Sequence, residues 1–450
     1  MPNMRIVNTS EMIDKAKFNG FFKTIVAICM ITTLCDGFDI NIFGLIIPTL
    51  MKDWHIGPAH IGMLASWGMF GMIFGSMVFG PLADSIGKRR SILIGTAGYI
   101  IFTVACGFTY TTTAMAICRF IAGFCLAGIF PLAVAYTSEY SPKPIRSRLT
   151  VWVTSGMASG TVVAALVGIA LIGPYGWRAM FYASGVMVIL LIAQYFLPES
   201  ISYLKRKGQN QQIAAILVRI DPEFKPSNED EYQLEKKDPG KGTLSNLFTH
   251  GFAKNTILFW CMMAVSYVFI YGVLMWLPKL MTMKGFSITG SLFFTMTWNL
   301  GFLLGIPLYG YLQDKLGGKR TLQIGWIAEA ILVSFIGFLN APVALAIVLF
   351  LTGACQHGVS GVAGSYLAQS YPASFRATGT TWGYAMGRIG GTAGPMIGGF
   401  LLARNLPVTQ NLMFFAMFPI IGVIFASFTT DFFRKQLAEQ AAQTVGHAAR

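Results

Sequence analysis

The chain has 450 residues, 54% of them hydrophobic and only 12% charged, a balance outside the soluble globular range and on the side of integral membrane proteins. Its formal net charge of +14 would suit a nucleic-acid surface, but the basic residues gather in alternate short loops between apolar stretches, as the positive-inside rule describes. No nucleic-acid partner is expected.

Apolar stretches with few charges lie at 22–50, 60–83, 91–109, 113–138, 150–172, 179–197, 254–276, 290–312, 322–339, 343–366, 379–402 and 411–430. Each is near the about 20 residues that cross the roughly 30 Å hydrocarbon layer as a helix. An all-α membrane protein of twelve transmembrane helices is expected. Lys88, Arg89 and Arg90 follow span two, Lys143, Arg146 and Arg148 span four, Lys315, Lys319 and Arg320 span eight, and Arg376 span ten. These loops and both termini are therefore expected on the cytoplasmic side. The opposite loops carry few cations: Lys52, Arg178, Lys279, Lys284 and Arg404. No cleavable signal peptide is visible, because the first apolar stretch is too long and contains two acids.

Those acids, Asp36 and Asp39 in "CDGFDINIFG", fall three residues apart and so share one helix face. A charge at the bilayer centre costs at least about 2.5–3.5 kcal/mol, and intramembrane ionisable groups are functional by default. Two such neighbours suit reversible protonation; the plainer reading is a cap beside Gly37 or a pair with a basic neighbour. Arg119 in span four lies toward the outer end and has the reach to snorkel outward, with proton coupling and substrate attraction both open. Glu139, at the other end of that span, is expected to bridge to Arg146 or to the loop of Asp84.

Residues 198–253 are polar and Pro-punctuated, a cytoplasmic linker between six spans at 1–197 and six more, with a tail, at 254–450. Within it "QIAAILVRI" predicts a short surface helix. In the second half, Arg388 stands near the middle of span eleven in "YAMGRIGG". A guanidinium facing lipid is very unfavourable there, and its planar fork suits a carboxylate; a structural pairing with an Asp is the alternative. Gln356 and His357 in span ten read first as hydrogen-bonding groups between helices, with a relay or substrate role second, and Glu329 in span nine likewise. Of the aromatic residues near span centres, Tyr267, Trp298 with Asn299, and Tyr384 are the better candidates for sandwiching a ring, beside Phe43, Trp67 and Tyr271. The seven cysteines show no metal-ligand spacing, and glycine runs such as "GRIGGTAGPMIGG" lie inside spans, where small residues allow close helix crossing. No cofactor and no enzymatic activity are expected.

The halves repeat at an offset of 230: Gly71, Gly75, Gly80, Asp84, Gly87, Arg90, Gly123, Gly128, Tyr136, Arg146, Trp152 and Gly160 meet Gly301, Gly305, Gly310, Asp314, Gly317, Arg320, Gly353, Gly358, Tyr366, Arg376, Trp382 and Gly390. Asp36 and Asp39 meet Ser266 and Phe269 instead. Parallel six-helix repeats are an arrangement that transporters use to place a site at the midplane.

"GPLADSIGKRR" (Gly80–Arg90), its echo "GYLQDKLGGKR" (Gly310–Arg320) and "RFIAGFCLAG" (Arg119–Gly128) resemble signatures of the major facilitator superfamily, over essentially the whole chain; Ser85 departs, standing where the family usually carries Arg. The "DGFD" of span one, "SEYSP" and "IRS" after span four and "GRIGG" of span eleven resemble the aromatic acid:proton symporters. That resemblance implies uptake of benzoate, a hydroxybenzoate, protocatechuate or a related acid with protons, through the inner membrane, by a chain expected to be monomeric. It implicates the acids at the DGFD positions in transport. Asp84, Gly87, Arg89, Arg90, Asp314 and Arg320 are expected to form a cytoplasmic latch. Muconate or a sugar acid as cargo, proton-coupled export, and a receptor that binds aromatic acids without moving them are the other readings the residues leave open. The superfamily's antiporters tend to carry Gly-Pro in span five, and its absence from "SGMASGTVVAALVG" here leans toward symport.

Overall fold

In lipid a spanning segment has to satisfy its backbone internally, and the apolar stretches accordingly fold as helices. The computed structural model describes residues 5–227, 230–233, 244–249, 251–372 and 375–429. The chain divides into two compact units, Met1–His55 with Trp67–Lys237, and Ile56–Ser66 with Asp238–Arg450.

The first unit opens with strand β1 (Arg5–Asn8) and helix α1 (Thr9–Lys15), followed by α2 (Gly20–Trp54) and the greater part of α3 (Pro58–Ile86). Then come α4 (Lys88–Cys106), α5 (Thr112–Leu126), α6 (Ile129–Glu139), α7 (Arg146–Tyr175), α8 (Arg178–Ala183) and α9 (Val188–Tyr195). Span four, expected as one helix over 113–138, is broken at Ala127–Gly128, where the Phe79 side chain fills the place of a Cβ on Gly128. Span six is interrupted by a 3-10 turn at Ser184–Met187. The linker adds α10 (Ile201–Arg206), α11 (Asn210–Ile220) over the expected surface helix, and β2 (Asp230–Gln233). β2 pairs in parallel with β1, Arg5 opposite Asp230, a pairing between N-terminal arm and linker that nothing in the hydropathy pattern signals. Val7, Ile13, Ile213, Leu217, Ile220 and Tyr232 are buried in this small αβ layer.

The second unit contains α12 (Ala253–Met283), α13 (Ile288–Leu300), α14 (Phe302–Leu316), α15 (Gly318–Phe338), α16 (Pro342–Gln369), α17 (Arg376–Ala403) and α18 (Val408–Phe428). The first turns of α3 belong with it: Ser66 Oγ donates to Thr392 O at 2.7 Å. Among the described residues eleven spans are long and apolar enough to cross a membrane. The remaining expected span, 379–402, is α17, whose arginine and glycines lower its mean hydropathy.

The 230-residue offset reappears as backbone contacts. A Cβ on Gly160 would strike the carbonyl of Leu34, and one on Gly390 that of Ala264. Gly71 and Gly75 press on the carbonyls of Phe120 and Phe124 as Gly301 and Gly305 press on those of Phe350 and Ala354. Helices cross this closely only where no side chain stands between them.

Candidate functional site

Asp39 is the centre of a buried polar cluster in the first unit. Its carboxylate accepts hydrogen bonds from Arg119 Nη1 at 3.2 Å to each oxygen and from Thr103 Oγ1 at 2.9 Å, so α2, α4 and α5 each contribute one group. The Asp39 and Arg119 side chains are only 1% and 6% exposed. The guanidinium sits 5.7 Å from the centroid of the Phe43 ring, one helical turn after Asp39. A Cβ on Gly68 of α3 would stand 3.2 Å from Arg119 Nη2, so glycine there clears the space the guanidinium occupies. Asp36, one turn before Asp39, is 3% exposed, and Tyr99 OH lies within electrostatic reach of both acids and of Arg119.

Desolvating two charges costs several kcal/mol for each, and their attraction offsets this only with good geometry and added hydrogen bonds. Here Thr103 supplies one such bond, while Arg119 Nε is buried without a hydrogen-bond partner among the described residues. Outward snorkelling of Arg119 is thereby corrected, because Asp39 turns the side chain inward. Thr103 had no sequence signal, being one hydroxyl in an apolar helix, where a threonine ordinarily bonds back to its own turn.

In the second unit, Tyr267 of α12 lies against α17, its ring 3.2 Å from where a Cβ on Gly387 would be. Tyr271 lies beside it, the rings tilted by 54° with centroids 5.7 Å apart, and covers Gly391. The Tyr267 hydroxyl is within electrostatic reach of Tyr271, Tyr384 and Arg388, so three tyrosines and the arginine form one group on α12 and α17. A second group lies on α13, α14 and α16. Trp298 Nε1 donates to Gln356 Oε1 at 3.3 Å, and His357 meets the Phe302 ring edge-on at 6.1 Å. Asn299 Nδ2 donates back to Thr295 O at 2.9 Å, which spends that donor on its own helix.

Of the two partners expected for Glu139, the structure provides the loop of Asp84, through Lys88 Nζ at 2.7 Å, and not Arg146. Ser200 Oγ and the Ser202 amide and hydroxyl also donate to that carboxylate, at 2.8–3.0 Å. Arg146 instead pairs with Asp14 of α1 and donates through Nε to Ser141 O at 3.1 Å; its repeat partner Arg376 does the same to Tyr371 O at 3.2 Å. Gly87, at φ +101°, has no room for a Cβ because Glu199 fills it. The Arg89 amide donates to that Glu199 at 3.0 Å, and its guanidinium reaches Tyr195 O. Glu199 and Asp14 carry these contacts without having stood out in the sequence, since an acid beside a polar loop is ordinarily solvated. Asp84 is exposed and meets Arg206 at 3.7 Å, while Arg90, Asp314 and Arg320 are exposed.

The profile of the Major Facilitator Superfamily matches residues 29–301 and again 291–444. The chain is 32% identical over 428 residues to the benzoate transport protein of Acinetobacter baylyi, covering 93% of this chain and 92% of that one. It is 30% identical over 414 residues to a 4-hydroxybenzoate transporter of the same organism, covering 90% of each. Its fold resembles the crystal structure of a D-xylose-proton symporter with a TM-score of 0.69 at 18% identity, over 91% of this chain and 97% of that chain.

Proposed function

The chain belongs to the major facilitator superfamily, and from that footing we propose that it carries an aromatic monocarboxylate into a bacterial cell together with protons. The observation that carries this reading is the buried Asp39–Arg119–Thr103 cluster, a cation-carboxylate pair placed where a membrane protein has no structural need of one. The cargoes named for the two relatives, benzoate and 4-hydroxybenzoate, share a carboxylate on a six-membered aromatic ring, the chemistry that an arginine and a tyrosine-lined face recognise.

In this mechanism a proton reaches the Asp36 and Asp39 pair, the substrate anion engages Arg388 with Arg119 assisting, and Tyr267 and Tyr384 hold the ring. Trp298 and Gln356 shape the wall, with Asn299 and His357 beside them. Neutralised charges lower the cost of closing the loaded protein, and that differential stabilisation couples the two cargoes. Loops carrying Asp84, Gly87, Arg89, Arg90, Glu139, Arg146, Asp314, Arg320 and Arg376 serve as the cytoplasmic gate. The chain acts as a monomer in the cytoplasmic membrane, both termini inside.

The test is accumulation of labelled benzoate and 4-hydroxybenzoate by cells making the protein, with and without a protonophore. Accumulation that the protonophore abolishes is expected; uptake of no aromatic acid, or uptake indifferent to the protonophore, defeats the reading.

A further inference from the structure

The 230-residue repeat builds the same packing node once in each unit. In the first, Phe79 of α3 lies over Gly95 of α4 and over Gly128: a Cβ on Gly95 would stand 3.0 Å from its Cε1, and one on Gly128 would collide with its side chain. In the second, Tyr309 of α14 lies over Gly325 of α15, 2.6 Å by the same measure, and over Gly358 of α16. At this node the second half adds two groups. The ring gains a hydroxyl, and one turn after Gly325 stands Glu329, where the first half has Tyr99.

Glu329 is 2% exposed, in the middle of a 21-residue span. Its Oε1 has no hydrogen-bond partner among the described residues. The elements packed on α15 offer no counter-charge to it: α14 presents Tyr309, α16 presents Cys355, to which the tyrosine is hydrogen-bonded, and α18 contains no titratable residue. A carboxylate charge at this depth costs at least about 2.5–3.5 kcal/mol with nothing to offset it.

We propose that Glu329 is a second proton-binding site of the transport cycle, a neutral carboxylic acid in this conformation that takes up and releases one proton per turnover beside the Tyr309 hydroxyl. It rests on the reading of proton-driven uptake given above. The first half pays for Asp36 and Asp39 where the second has Ser266 and Phe269, and the second half carries Glu329 where the first has none.

The test uses the full chain in liposomes, with the membrane potential held at zero by valinomycin and equal potassium, and a pH gradient of one unit. Losing one coupled proton lowers steady-state benzoate accumulation about tenfold under those conditions. Glu329→Gln is expected to show that drop while retaining counterflow exchange of labelled for unlabelled benzoate. Tyr309→Phe, which installs what Phe79 already is in the first half, is expected to lower accumulation in the same direction. In infrared difference spectra between acid and alkaline pH, the wild type should show a protonated-carboxyl band that Glu329→Gln lacks. Wild-type accumulation by Glu329→Gln, or a spectrum indistinguishable from the wild type's, overturns the assignment; should that variant fail to fold, wild-type accumulation by Tyr309→Phe overturns it. A wild type that shows no proton-driven accumulation defeats the transport reading itself, a separate outcome.

Discussion

Replacing Asp39 by Asn removes one charge of the buried pair and leaves Arg119 nearly enclosed, its side chain 6% exposed. Asn still offers an oxygen to Thr103, so the main loss is the counter-charge, and breaking one partner of a buried pair costs about 3–5 kcal/mol. Arg119→Gln leaves Asp39 held by Thr103 alone, with a loss of the same order. Asp39→Asn with Arg119→Gln removes both charges and should recover most of the stability, giving an interaction energy of about 5 kcal/mol or more, above the usual range for contacting residues. Unfolding in mixed micelles of dodecyl maltoside and dodecyl sulfate measures this cycle. Function should not recover with stability. In the mechanism proposed above, Asp39 exchanges its hold on the guanidinium for the transported proton, so Asp39→Asn should abolish proton-driven accumulation of the aromatic anion while counterflow exchange persists. An Asp39→Asn protein within about 1 kcal/mol of wild type, the range of ordinary substitutions, or a double variant no more stable than the singles, would refute the exchange mechanism.

Arg388→Lys keeps the charge and loses the fork, and should raise the apparent KM for benzoate uptake about tenfold or more, roughly 1.4 kcal/mol; an unchanged KM removes the bidentate contact. Gly160→Ala drives a Cβ into the Leu34 carbonyl, and should cost about 1–3 kcal/mol by overpacking the α2–α7 crossing, read as a lower melting temperature in detergent. Asp14→Ala removes the partner of Arg146 in a partly exposed pair, so it should cost no more than about 1 kcal/mol while speeding amide exchange across Arg5–Lys15.

The spans were legible because a lipid-facing helix has to be apolar along its length, and hydropathy reports that directly. Their interruptions were not: Gly128 and Gly301 read as ordinary helix glycines until Phe79 and the backbone of Gly353 and Ala354 are seen against them. Nor was the pairing of β1 with β2, since strands of four residues joined across more than two hundred leave no periodicity. Among the site residues, Asp39 and Arg119 could be marked singly because a charge inside a span is conspicuous. Their union with Thr103 depends on how α2, α4 and α5 cross, which the charge of each residue says nothing about. Glu139 illustrates the converse. Its need for a cation was readable, but Lys88 and Arg146 were equally available in sequence, and Asp14 decides between them by occupying Arg146.

Many of the contacts that recur at the 230-residue offset inside the spans are glycine against carbonyl, as at Gly160 with Leu34 and Gly390 with Ala264. Such contacts fix how closely helices cross and are indifferent to charge, so duplication preserves them in both halves. A coupled carrier needs the opposite for its ionisable groups. If each half held the same acid opposite the same base, both would protonate and pair together, and neither would distinguish a loaded from an empty protein. Coupling therefore selects against symmetry for ionisable groups inside the spans, while packing selects for it. Asp36 against Ser266, Asp39 against Phe269, Glu139 against Gln369 and Glu329 against Tyr99 are among the positions where the repeat gives way. By this logic Phe269→Asp, which places an acid opposite the proposed coupling position Asp39, should insert and fold at a cost of about 2.5–3.5 kcal/mol. It should also uncouple benzoate flux from the pH gradient; tightly coupled accumulation in that variant would show that asymmetry at this position is incidental.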